Sequence, residues 1–398
     1  MTQKIKEGIA LDALDAFLVE DLLAQSDMEI LAEFEAVEGD ANAHAQTMRE
    51  LFERVVVASN KSRLVAARAG AAAIGRTEIA TAETRITDIA MARKRLAEAA
   101  ADSSRKVSLA ARNETLLSDS DVLGLVEDLD ILEARASREN GEEKNRRKVR
   151  PDSLLKGLGI TEPEEIDLEA IGFCVHAVIK YRALQGCDAQ IVGYGNDAII
   201  TVNCDSSDER RRFSAAHEIG HWMLHRGKQL ACRVDEASND GSPSEREADR
   251  FAADLLMPIY IFERFAREFE RLNFDVVKEL ASRFATSITS TAIRLIEIDH
   301  SPALLVCHGP EGRRWFRRAP SVPAKWFPML ELGSESSAFS VLFGRQTDDL
   351  RPRKIQASLW FDTASAGYHS VHEQTTRIGK DEVLTLLIFD PSTLAERL

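Results

Sequence analysis

The sequence predicts a multi-domain α+β protein: an all-helical N-terminal domain, a central domain of short strands followed by amphipathic helices, and a mixed α/β C-terminal module. Three observations carry this expectation. The chain has 398 residues, more than one ordinary core organises. From Ile9 to about Glu133 it is rich in Ala, Leu, Glu and Arg and almost free of proline, with apolar residues at helical spacing. After a charged stretch, the pattern changes to β-branched runs alternating with helical ones. The expected boundaries are 1–137 for the helical domain, 138–152 for a linker, 153–300 for the central domain and 301–398 for the C-terminal module.

In the first domain, Leu11, Leu14, Leu18 and Leu22 mark one helical face. Ser118 and Asp119, ahead of Val122, Leu125, Val126 and Leu129, read as the capped start of its final helix. Glu142 to Pro151 has one apolar residue, so it reads as a solvated linker, its basic run exposed to water. Asp167 to Ile171 suggests a short helix, and Cys174 to Ile179 a strand. Gln190–Val192 and Ala198–Val202, split by Gly193 to Asp197, suggest a hairpin.

Composition narrows the function classes. A formal net charge of -14 argues against attraction of the whole protein to nucleic acid. Residues 1–50 hold twelve acidic and three basic side chains, read as a soluble helical surface. No apolar run is long enough to cross a bilayer, and Glu7, Asp12 and Asp15 interrupt any secretion-signal core, so the cytoplasm is the expected location. Five scattered cysteines without a C-x-x-C pair fit reduced thiols, and Cys232 reads as an inert thiol before a metal ligand.

The chemistry is concentrated in His217-Glu218-Ile219-Gly220-His221. Ser206 or Ser207 can cap a helix running to His225, with Gly227 as its stop. Two imidazoles at i and i+4 project from one face about 6 Å apart along the axis, which lets both reach one zinc ion. Glu218, turned about 100° from His217, can lie beside the metal's open position rather than bind the ion. His225 is about 12 Å along the axis from His217, too far to share an ion with bonds of about 2 Å; it reads as a helix-end cation or a polar group near the cleft. A third ligand is sought on the amphipathic helix Ser244 to Pro258. Glu245 shares a face with Ala248, Ala252 and Leu255, whereas Glu247 points elsewhere, yet both also satisfy capping-box spacings with Ser242 and Ser244. Asp249 is placed either to hydrogen-bond a ligating histidine or to remain a surface carboxylate. Tyr194, Tyr260 and His225 are candidates to assist the reaction.

The two segments Arg212–His221 and Glu245–Pro258 together resemble the ImmA/IrrE family of metallopeptidases, strongly over about residues 165–260 and loosely beyond. The resemblance implies a zincin-like metallopeptidase domain with Zn2+ held by His217, His221 and Glu245, and Glu218 as the catalytic base. It implies a regulatory endopeptidase that cleaves a protein substrate, expected to be a helix-turn-helix transcriptional repressor in a stress or mobile-element response. The alternative is a non-proteolytic transcriptional regulator or toxin-like binding protein that retains the fold. Many relatives carry a DNA-binding domain before the peptidase, whereas residues 1–135 read as a different helical unit, for which a restraining, regulatory role is one expectation.

The strand Ala198 to Asn203 is expected to pair with extended substrate if it forms the sheet edge. Val276 to Leu295 superficially suggests helix-turn-helix, but sparse basic residues favour an internal packing pair. Ala303–Cys307 and Val383–Ile388 read as strands of a sensor-like α/β module. Arg313 to Arg318 reads as a strand with basic outer positions and an aromatic anchor, ahead of a stacking surface for single-stranded nucleic acid.

Overall fold

A computed structural model describes residues 25–78, 88–101, 108–111, 118–136, 149–226, 230–231, 242–344 and 348–390. The Leu11–Leu22 face, most of the expected linker, Gly227 and Cys232 lie outside the described residues. The chain is a mixed α+β protein with two five-stranded sheets among the described residues. It divides into two units, Met1–Lys61 and Ser62–Leu398.

In the first unit α1 (Asp27–Glu38) starts at a capping box: the Ser26 hydroxyl accepts from the Glu29 amide, and the Glu29 carboxylate accepts from the Ser26 amide at 2.9 Å. Helix α2 (Ala41–Glu78) begins there and runs across the division.

The second unit opens with the end of α2, whose Leu64 and Ala67 are buried in the main core. Then come α3 (Ile89–Ala101), β1 (Ser108–Ala111) and α4 (Asp119–Ala136), which starts where expected, with the Ser118 hydroxyl accepting from the Asp121 amide at 3.1 Å. Strand β1 pairs antiparallel with β3 (Ala189–Tyr194), setting Leu109 opposite Val192. The sheet order is β2 (Ala177–Arg182), β4 (Asp197–Asn203), β3, β1, β5 (Leu230–Ala231). The expected all-helical domain ending at 137 is therefore not where the structure divides. Four residues, Ser-Leu-Ala-Ala, are too short and too alanine-rich to show an alternation, so their pairing is legible only in three dimensions.

Two further expectations shift. Asp167 caps α6 (Leu168–Cys174) by accepting from the Ala170 amide at 3.0 Å; the chain reverses at His176, φ 62°, so the strand begins at Ala177 and not at Cys174. A short helix, α5 (Pro151–Gly157), precedes it. The β3–β4 hairpin forms as expected around Gly195, whose φ of 60° favours glycine. But β4 is flanked by β2 on one side and β3 on the other, so Ala198–Asn203 offers no free edge to a substrate.

The pleat of β4 assigns its residues to two layers. Ala198, Ile200 and Val202 pack in the main core with Ala215, Ala216 and Ile219 of α7 (Asp208–Leu224). Ile199 joins Val192 in a second core made by α3 and α4, including Leu125, Val126 and Leu129. Thr201, on the same side as Ile199, donates to buried Asp128 of α4 at 3.1 Å. Burial raises the Asp128 pKa, and the Lys180 ammonium that it also binds opposes the rise.

Beyond α8 (Pro243–Leu256) and α9 (Ile259–Ala266), helices α10 (Phe274–Phe284) and α11 (Ile288–Glu297) meet at Ala285 in the left-handed region. Thr291, Ala292, Arg294, Leu295 and Ile296 of α11 are buried, and α11 packs on β6 (Ala303–Gly309) and β7 (Gly312–Arg318). That face cannot enter a DNA groove, as the packing-pair reading expects. The second sheet is wholly antiparallel, in the order β7, β6, β10 (Glu382–Phe389), β9 (Ser370–Gly379), β8 (Asp348–Gln356), with α12 (Ser337–Phe343) against it. On β7 the guanidinium of Arg313 lies over Phe327 and that of Arg318 over Phe316, so these rings stack with the chain's own cations. No helix among the described residues is long and apolar enough to cross a membrane.

Candidate metal centre

Helix α7 carries the H-E-x-x-H string because its start is well specified. Ser207 caps it by accepting from the Arg210 amide, and Asp208 and Glu209 in the first turn complement the helix dipole. Its buried stripe, Ala215, Ala216, Ile219 and Trp222, locks it onto the first sheet. Helix α8 approaches closely at Gly220, where an added Cβ would lie 3.2 Å from the Ala248 carbonyl oxygen and 3.2 Å from the Phe251 Cβ. The missing side chain lets Glu245, at the start of α8, reach the histidines.

The expected trio converges. Nε2 of His217 and Nε2 of His221 are 2.9 Å apart; Glu245 places Oε2 3.2 Å from the first and Oε1 3.1 Å from the second. Among the described residues these are the group of three His, Cys, Asp or Glu side chains that could hold an ion. Bonds of about 2.0–2.1 Å at tetrahedral angles would separate donor atoms by about 3.3–3.4 Å, so the trio needs little movement to close on zinc. Two imidazoles and a carboxylate, with a fourth position left over, are a donor set suited to that metal. The capping alternative for Glu245 is also present in part: Ser242 accepts from its amide, while its carboxylate faces the histidines.

Glu218 is 6% exposed, and its Oε2 atom is buried. Asp249, whose side chain is 58% exposed, places Oδ1 2.9 Å from His217 Nδ1. His225, excluded as a ligand by distance, is buried at 2% exposure, with Nδ1 3.1 Å from His221 Nδ1 and Nε2 2.8 Å from Glu247 Oε2. The helical spacing His221-x-x-x-His225 was the available signal for that contact. Tyr194 packs against the second core, across the sheet from α7, and the Tyr260 hydroxyl donates to the Ile160 carbonyl at 2.7 Å. A cleft of about 1030 Å³ reaches the centre at Asp249, walled also by Phe213, Met257, Ile288 and Arg294 among others, with the trio and Glu218 behind this lining.

Without metal, His217 is pushed up to about 10: burial works against its cation, but hydrogen bonds to Asp249 and Glu245 and the charge of Glu218 outweigh it. A raised folded-state pKa contributes stability that is complete below the unfolded value near 6.5 and is lost as pH rises through about 10. The metal-free protein is thus expected to lose thermal stability across that window. Zinc uptake at pH 7.5 must expel this proton, so calorimetry in buffers of differing ionisation enthalpy should show release of about one proton. Heats independent of buffer would contradict it.

Comparisons with known proteins bear on this geometry. A solved chain described as a Mycobacterium tuberculosis transcriptional regulator aligns with 14% identity over 60% of this chain and 74% of its own, at a TM-score of 0.40. A comparison with curated proteins gives no match. Residues 191–295 match the Peptidase_M78 family model, described as an IrrE N-terminal-like domain, and span β3, β4, α7, the trio and the α10–α11 pair. That stretch of the chain is thus similar to the IrrE N-terminal-like domain of the Peptidase_M78 family, consistent with the resemblance that the two motifs carry.

Proposed function

We infer that the chain is a zinc-dependent endopeptidase of regulatory specificity with a zincin-like catalytic domain. The observation that carries this reading is the convergence of His217, His221 and Glu245 donor atoms at 2.9–3.2 Å beside the buried carboxylate of Glu218. A zinc ion held by the trio would supply Lewis acidity, lowering the pKa of a water and polarising a carbonyl. Asp249 holds His217 with Nε2 toward the trio by accepting from Nδ1–H. Glu218 is the base: its Oε2 takes the proton of the attacking water and returns it to the departing amine. The neighbouring cleft receives the polypeptide on either side of the scissile bond.

The substrate class comes from the family resemblance: a helix-turn-helix transcriptional repressor whose cleavage releases a stress or mobile-element response. The test incubates the zinc-loaded full chain with candidate repressors and reads fragments by mass spectrometry, with chelated protein and Glu218→Gln alongside. Discrete, zinc-dependent cleavage is expected. If Glu218→Gln folds and matches wild type in biological activity, the peptidase reading fails, and a non-proteolytic regulator or toxin-like binder on the same fold takes its place.

A further inference from the structure

We propose that His225 and Glu247 form a positioning relay that fixes the ring of His221 for metal binding. The inference rests on His221 being a ligand, not on the chain being a peptidase. Its basis is a continuous line of contacts: Glu247 Oε2 to His225 Nε2 at 2.8 Å, and His225 Nδ1 to His221 Nδ1 at 3.1 Å. The far nitrogen of the last ring, His221 Nε2, is the atom that faces Glu245 at 3.1 Å.

Hydrogen-bond polarity allows one arrangement for a metal-ready site. His221 Nε2 must offer its lone pair, so the neutral ring carries its hydrogen on Nδ1 and donates it to His225 Nδ1. His225 then has its own hydrogen on Nε2, which donates to the Glu247 carboxylate. Reversing the middle bond would put the His221 hydrogen on Nε2, aimed where the metal belongs. Glu247, able only to accept when ionised, selects the productive direction.

Burial explains why the two histidines are held differently. His217, 14% exposed in its side chain, is bound directly by Asp249, whose own side chain is 58% exposed. The side chain of His221 is 1% exposed, and a second carboxylate, on its Nδ1 side, would have to be desolvated at considerable cost. An intervening imidazole, 2% exposed, moves the charge outward to Glu247, which is 59% exposed. His225 can do this because it stands one turn beyond His221, at the C-cap of α7.

The experiment measures zinc affinity of the full chain by competition with a chromophoric chelator, together with the visible spectrum of the cobalt(II) form. His225→Leu is expected to weaken zinc binding about 10–100-fold and to alter the cobalt spectrum. His225→Gln should restore affinity close to wild type, since its carbonyl accepts from His221 and its amide donates to Glu247. Glu247→Ala should also weaken binding, and its exposed position keeps the fold intact should His225→Leu not fold. Wild-type affinity and an unchanged cobalt spectrum in Glu247→Ala, or in a folded His225→Leu, would overturn the relay. So would a His225→Gln variant as weak as His225→Leu. A wild-type chain that binds zinc tightly yet cleaves nothing would sink the peptidase reading and leave the relay standing.

Discussion

Replacing Glu218 by glutamine is expected to lower the cleavage rate about 10²–10⁴-fold, the range over which a positioned acid–base group contributes. The change keeps size and shape but removes the ability to take a proton. Zinc content should not change, because the converging donor atoms come from His217, His221 and Glu245. Stability should hold or rise, since the carboxylate is 6% exposed and keeping a charge there is costly. The Glu218 charge also helps raise the His217 pKa, so the metal-free variant should keep its stability less far into the alkaline range. Rate by mass spectrometry, zinc by elemental analysis and melting by calorimetry separate these effects. Loss of zinc together with rate would assign Glu218 a binding role.

Deleting residues 1–149 is expected to abolish cooperative folding of the remainder, including its metal centre. Val122, Leu125, Val126, Leu129 and Leu132 of α4 bury themselves against Val192 and Ile199 of the sheet that carries α7 on its other face. Each such side chain contributes about 1.5–3 kcal/mol by burial, and whole domains are stable by only about 5–15 kcal/mol. The deletion also takes β1 from the sheet and Asp128 from Thr201 and Lys180. The fragment should show no sharp thermal transition and little near-ultraviolet circular dichroism, with or without zinc. A cut between Lys61 and Ser62 keeps every strand of that sheet, and its product should still melt cooperatively. A sharp transition in the shorter fragment would refute the assignment of α4 to the core that carries the metal centre. Regulation by the N-terminal part is therefore to be tested with the cut at 62.

Local periodicity made part of this molecule legible in advance. His217 and His221 share a helical face by spacing alone, and Glu245 stands out by the apolar stripe it begins with Ala248 and Ala252. Asp249, one turn beyond Glu245, followed from the same periodicity. What escaped depends on contacts between segments far apart in sequence. The role of β1 needs its partner Val192, which lies on another element more than fifty positions onward. The central place of β4 depends on β2 pairing with it in parallel across a helix-free connection through the hairpin strand. Axial distance separates His225 from the metal position, and its neighbours are one turn back on its own helix and on α8, a helix whose approach the sequence does not show.

The walls of the cleft beside the trio come from two parts of the chain with different duties. Phe213 and Asp249 belong to the helices that bear the reacting groups, whereas Ile288 and Arg294 belong to α11, behind the left-handed corner at Ala285. Mutations around that corner can reshape what the cleft admits without disturbing a single donor atom. If the chain is the peptidase proposed above, preference for a target and the power to hydrolyse it can drift independently during evolution, and grafting the segment 285–294 between relatives should then exchange their targets.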